Sequence, residues 1–96
     1  MLYFLLLTAV AHHPPMIPTF GFGSVKCEAA FKPDSVMQAQ SWILGFWTGL
    51  NVQSGHGVGT GKSNDDIWDS VRKACAKTPS ATLLAATQTA YKALKG

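Results

Sequence analysis

Apolar residues recur along this chain with the three- and four-residue spacing of helix faces, in three stretches separated by turn-forming residues. Over residues 35–51, Val36, Ala39, Trp42, Ile43, Phe46, Trp47 and Leu50 fall on one broad face, while Gln38, Gln40, Ser41 and Thr48 occupy much of the remainder. Over residues 64–77, Ile67, Trp68, Val71, Ala74 and Cys75 share a face, with Asp65, Asp66, Asp69, Lys73 and Lys77 turned away. Cys75 is therefore expected to point into the core. A third helix is predicted over residues 78–95, opened by Thr78 as cap and Pro79 at the first helical position. Leu83, Leu84, Thr87, Ala90, Tyr91 and Leu94 form its apolar face, and Lys92 and Lys95 sit where positive charge suits the helix dipole.

A short helical turn at residues 27–31 is stopped before Pro33. No strand-like alternation of useful length follows residue 27, and there are no internal repeats. The predicted fold class is all-α, a small bundle of three to four helices. The aromatic stripe on the first long helix has two readings, a core face or an exposed protein-binding patch. Gly45 and Gly49, a G-x-x-x-G at its edge, are expected to let another helix pack closely, since polar residues interrupt the apolar run too often for a membrane span.

The beginning of the chain reads differently. Residues 1–11, MLYFLLLTAVA, are apolar and too short to span a bilayer, but have the length of a signal-peptide core. No Lys or Arg precedes that run. Ala9-Val10-Ala11 offers a small-x-small cleavage pattern and Gly21-Phe22-Gly23 a second, so processing is expected after residue 11 or residue 23. Pro14, Pro15, Pro18, Gly21 and Gly23 make residues 12–26 an extended leader, with the ordered domain starting near Cys27. The organisation read from this is a leader at residues 1–23 and one helical domain at residues 24–96.

A mature domain of that size is close to the limit at which one apolar core suffices, and such domains use staples. Cys27 and Cys75 supply an even count, read in an exported protein as one disulfide. Closing a loop of about 48 residues is worth roughly 4 kcal/mol on the chain-entropy argument. Eight Lys/Arg against five Asp/Glu is a mild excess without a basic block, which argues against a nucleic-acid partner.

One segment imitates a nucleotide site. In SGHGVGTGKSNDD, residues 54–66, Gly61-Lys62-Ser63 matches the end of a phosphate-binding loop, but His56 stands where its first glycine is required. The segment follows a helix instead of a buried strand, and Asp65 and Asp66 already place negative charge where a phosphate would dock. Ser63 or Asn64 is expected to cap the next helix, Ser63 with Asp66 approximating a capping box, and the glycines to serve as a flexible connection. No nucleotide is expected. His12, His13 and His56 lack metal-ligand spacing with either cysteine, so no metal is expected. His56 has no identifiable partner for nucleophilic catalysis, and a non-enzyme without cofactor is predicted.

Taken together, the early cysteine, the helix SWILGFWTGLN, the variable loop, VRKACAKTPS and the final LLAATQTAYKAL resemble the HdeA/HdeB-like family of small exported bacterial proteins. The resemblance covers nearly all of residues 27–95 and implies a four-helix fold held by a Cys27–Cys75 disulfide. It further implies a periplasmic location and chaperone action on unfolding clients in acid. Leu44, Gly45, Phe46 and Gly49, with the Cys-x-x-x-Pro region, are also similar to periplasmic immunity proteins that neutralise secreted cell-wall-degrading effectors. Both resemblances imply action by protein binding, and an exported structural or accessory protein with no client activity is the further alternative. Trp42, Phe46, Trp47 and Trp68 are the expected contact residues, with a homodimer open as an assembly and no stable membrane insertion after leader removal. The carboxylates Glu28, Asp34, Asp65, Asp66 and Asp69, with His56, are the groups an acid trigger would use.

Overall fold

Helix boundaries are set here by which backbone groups find partners outside their own helix. The computed structural model describes residues 18–96. They form a 3-10 turn at Gly21–Ser24 followed by four helices: α1 (Cys27–Ala30), α2 (Val36–Ser54), α3 (Asn64–Lys77) and α4 (Leu83–Lys95). The fold is an all-α bundle with one disulfide, Cys27–Cys75, whose Cα atoms lie 5.2 Å apart. The apolar run at residues 1–11, the first processing site, His12 and His13 lie outside the described residues.

Each long helix contributes a stripe with a four-residue period: Ala39, Ile43 and Trp47 from α2, and Ile67, Val71 and Cys75 from α3. Leu83, Ala86, Thr87, Ala90 and Tyr91 come from α4. Ile43, Leu83, Val71 and Thr87 are the largest wholly buried side chains. Thr87 is tolerated there because its hydroxyl donates to the Leu83 carbonyl one turn back, at 2.7 Å. Among the described residues no buried side-chain polar atom lacks a partner.

The single turn α1 is too short to hold itself, and its orphan N–H groups are satisfied from elsewhere. Cys27 and Glu28 donate their backbone N–H to the carbonyls of Ala81 (2.8 Å) and Pro79 (3.0 Å), and Leu83 donates back to Val25 (2.8 Å). These bonds flank an antiparallel bridge between Lys26 and Thr82. The disulfide and the Arg72 guanidinium, 5.0 Å from the Phe31 ring centroid, fasten the same segment to α3.

That pairing explains one departure from the sequence reading. Helix α4 begins at Leu83, not at Pro79, and Thr82 caps it by accepting from the Ala85 N–H at 3.1 Å. A helix starting at Pro79 would turn the Pro79 and Ala81 carbonyls inward to its own ladder. Here they are used by α1.

A second departure concerns the start of the domain. Residues 21–24 are not an extended leader; they form a helical turn packed on α2 and α4, and Gly23 is buried. A Cβ at Gly23 would collide with the Trp42 ring, so the ring can lie there only against glycine. The packed unit therefore includes residues ahead of both Cys27 and residue 24.

Candidate functional site

The apolar stripe of α2 is wider than the core it serves, and what lies on its flanks defines the surface. Trp42 and Phe46, one turn apart, stack with ring centroids 5.0 Å apart and planes inclined by 10°. Both are half-buried. The Trp42 indole N–H donates to the Phe20 carbonyl at 3.1 Å, which draws the N-terminal segment over one edge of the pair. Phe20 itself turns outward and is 80% exposed. Leu84 and Gln88 of α4 form the opposite wall, and together these residues enclose an open apolar groove of about 500 Å³.

Of the four aromatics expected to act together, the structure brings together Trp42 and Phe46 only. Trp47 is 4% exposed and belongs to the core, with its ring edge-on to Tyr91 at 5.0 Å. Its indole N–H donates to the Val58 carbonyl at 2.8 Å. Trp68 is half-buried between helices and donates to the Gln40 carbonyl at 3.2 Å, fastening α3 to α2. Sequence reading missed Phe20, assigned to a leader, and Leu84, assigned to the core; only the return of the N-terminal turn places them beside Trp42.

Gly45 and Gly49 depart from the expected role as well. Both are exposed, and a Cβ at either would meet nothing within 4 Å, so no helix of this chain packs on them. The physical reason is angular: they lie beyond Trp42 on the side of α2 away from Ile43 and Trp47, where no partner helix runs. Gly45 instead forms part of the groove wall, where the lack of a side chain keeps the groove open.

The glycine-rich segment resolves into an ordered turn. Gly55 ends α2 in the left-handed region (φ 74°), donating its N–H to the Asn51 carbonyl at 2.9 Å. Asn51 then grips Val58 by both backbone groups, its Oδ1 accepting from the N–H (3.1 Å) and its Nδ2 donating to the carbonyl (3.2 Å). The Tyr91 hydroxyl donates to the same Oδ1 at 2.7 Å. Gly59 (φ 90°) lies against Ile67 and Trp47. The segment expected to be a flexible connection is held by a network running from α2 to α4.

At its end the expected capping box is present: Asp66 N–H donates to Ser63 Oγ and Ser63 N–H donates to Asp66 Oδ2, each at 3.1 Å. Two of the N–H groups at this helix end, those of Ser63 and Asp66, are thus engaged by the helix itself, with Asp65 beside them. Glu28, Asp34, Asp65, Asp66, Asp69 and His56 are all exposed. Among the described residues no group of three or more His, Cys, Asp or Glu side chains could hold a metal ion, and no helix is long and apolar enough to cross a membrane.

No family model matches the chain, and no curated protein or solved structure matches it. The groove offers two stacked rings, one exposed phenyl group and little hydrogen-bonding capacity, which suits apolar side chains of another polypeptide.

Proposed function

We propose that this chain is an exported, non-catalytic protein-binding protein that takes apolar segments of a client or partner into the Trp42–Phe46 groove. The observation that carries the reading is an open apolar groove walled by stacked aromatics in a small bundle held by a disulfide. A disulfide that braces so small a core favours an oxidising compartment, and the periplasm is the location proposed with the resemblance to HdeA/HdeB-like proteins. No cofactor enters the proposal.

In its chaperone form, acid loosens the bundle so that Trp47 and Trp68 join the exposed surface and unfolding clients are held. A second form, the immunity-type binder of a single effector, is favoured by one observation: the groove is already open in the folded protein and so needs no acid trigger.

The deciding experiment measures client aggregation with the oxidised protein at neutral pH and at roughly pH 2 to 3, where carboxylates are protonated. Suppression only in acid, with dye binding, supports the chaperone form. A compact, inactive protein in acid rules that form out. Binding of one cell-wall hydrolase at neutral pH, lost in Phe46→Ala, supports the second form, and absence of any polypeptide binding in either condition refutes the proposal.

A further inference from the structure

Charge in this chain is segregated in a way its mild overall balance conceals. Residues 70–96 carry Arg72, Lys73, Lys77, Lys92 and Lys95 and no Asp or Glu. All five carboxylates lie at or before Asp69. The cationic segment is also where α3 packs on α4, the most extensive helix pairing of the fold.

Between these helices runs a second groove, of about 380 Å³ and open along one side. Ala74, Ala86 and Ala90 form its floor, and Lys73 and Lys77 stand on its α3 rim. Both lysines are exposed. Among the described residues the one ion pair is Arg72 with Asp69, at 4.0 Å, so neither lysine has a carboxylate partner. The helix dipole favours Lys77 near the end of α3, but it does not account for the alanine floor or for a groove lining without acids, since Asp66 and Asp69 lie beyond Lys73 in an adjoining depression.

We propose that this groove docks an amphipathic helix of a partner protein, with small apolar residues toward the alanines and carboxylates one turn apart toward Lys73 and Lys77. The two lysines are four residues apart in α3, about 6 Å along its axis, which is the spacing of acidic residues at i and i+4 on a facing helix. Alanine side chains project little, so a second helix can approach to the close end of the usual interaxial range, about 8 Å. A helix suits the groove because it satisfies its own backbone, and the alanine floor offers no hydrogen bonds to an extended chain. An acyl chain would remain largely wet in a groove this open, whereas ligand pockets bury most of their ligand.

This surface is separate from the aromatic groove: α4 presents Ala86 and Ala90 to one and Leu84 and Gln88 to the other. Its test is accordingly independent. The oxidised full chain, isotope-labelled at neutral pH, is titrated with an 18-residue helical peptide carrying an Ala/Leu face and Glu pairs at i and i+4. Amide shifts should centre on Ala74, Ala86 and Ala90, and affinity should fall about tenfold in K73Q/K77Q, the loss of two rim ion pairs. K73E/K77E should bind a peptide with Lys in place of Glu. Ala93→Trp, at an exposed position on the groove, should block binding with no change in charge. No binding, equal affinity for wild type and K73Q/K77Q, or shifts centred on Trp42 and Leu84 would overturn the proposal. So would groove shifts with dodecanoate but not with the peptide, which would assign the site to an anionic amphiphile.

Discussion

Phe46 and Trp47 are neighbours in sequence, yet they head two regions with opposite properties. The Trp47 side is closed: a buried indole, the Tyr91 ring, Asn51 and the Val58 backbone form one hydrogen-bonded unit. The Trp42–Phe46 side is open, with two half-buried rings stacked on each other at the groove wall. Trp47 lies five positions after Trp42, about 140° around the helix, so the two lie on opposite sides of Ile43. What differs is the partner each flank meets. Each flank receives a returning segment that gives its indole a carbonyl, but the glycine loop with Val58 leaves Trp47 buried, whereas the short N-terminal turn with Phe20 leaves Trp42 half-buried beside an open groove. The same residue type thus becomes core or surface according to the chain segment that returns to it.

The comparison can be broken most forcefully on its closed side. Trp47→Ala should cost about 3 to 5 kcal/mol in urea unfolding, because it empties a buried site and leaves the Val58 carbonyl without its indole donor. Removal of the disulfide shared by both sides, as C27S/C75S, should cost a comparable amount, roughly 4 kcal/mol, measured on the same scale. Asn51→Ala should cost about 1 to 3 kcal/mol, and hydrogen exchange should show the loop around Val58 losing protection while α3 keeps its own.

On the open side the effects on stability shrink and those on binding grow. Gly23→Ala should cost about 1 to 3 kcal/mol by driving the N-terminal turn off Trp42, visible as a change in Trp42 environment. Phe20→Ala should leave the melting curve within about 0.5 kcal/mol of wild type, since the ring is almost wholly exposed, while weakening polypeptide binding. Equal stability losses for Trp47→Ala and Phe20→Ala would erase the distinction between the two regions.

What could be read from the chain follows the same division between local and returning structure. The capping box of Ser63 and Asp66, the four-residue stripes and the inward aim of Cys75 are properties of a few consecutive residues, and all three stand in the fold. The start of α4 was not legible, because the Pro79 and Ala81 carbonyls are taken by α1, more than fifty residues earlier in the chain. Nor was the groove: Phe20 joins Trp42 through a bond to its own backbone carbonyl, which no side-chain pattern encodes. Gly45 and Gly49 mislead in an instructive way, since a G-x-x-x-G permits close packing but supplies no helix to pack. The ordered glycine loop was hidden for a related reason: Asn51 holds it by the Val58 peptide group, and any residue at position 58 carries that group.

The most direct measurement uses the three tryptophans as reporters, one for each environment. Their indole N–H signals are followed in the oxidised, isotope-labelled protein at neutral pH as a reduced, carboxymethylated polypeptide is added. The Trp42 signal should shift while those of Trp47 and Trp68 stay in place, the mark of a groove that binds in the folded state. If all three move together, binding requires the bundle to open; if none moves, the groove is not a polypeptide site.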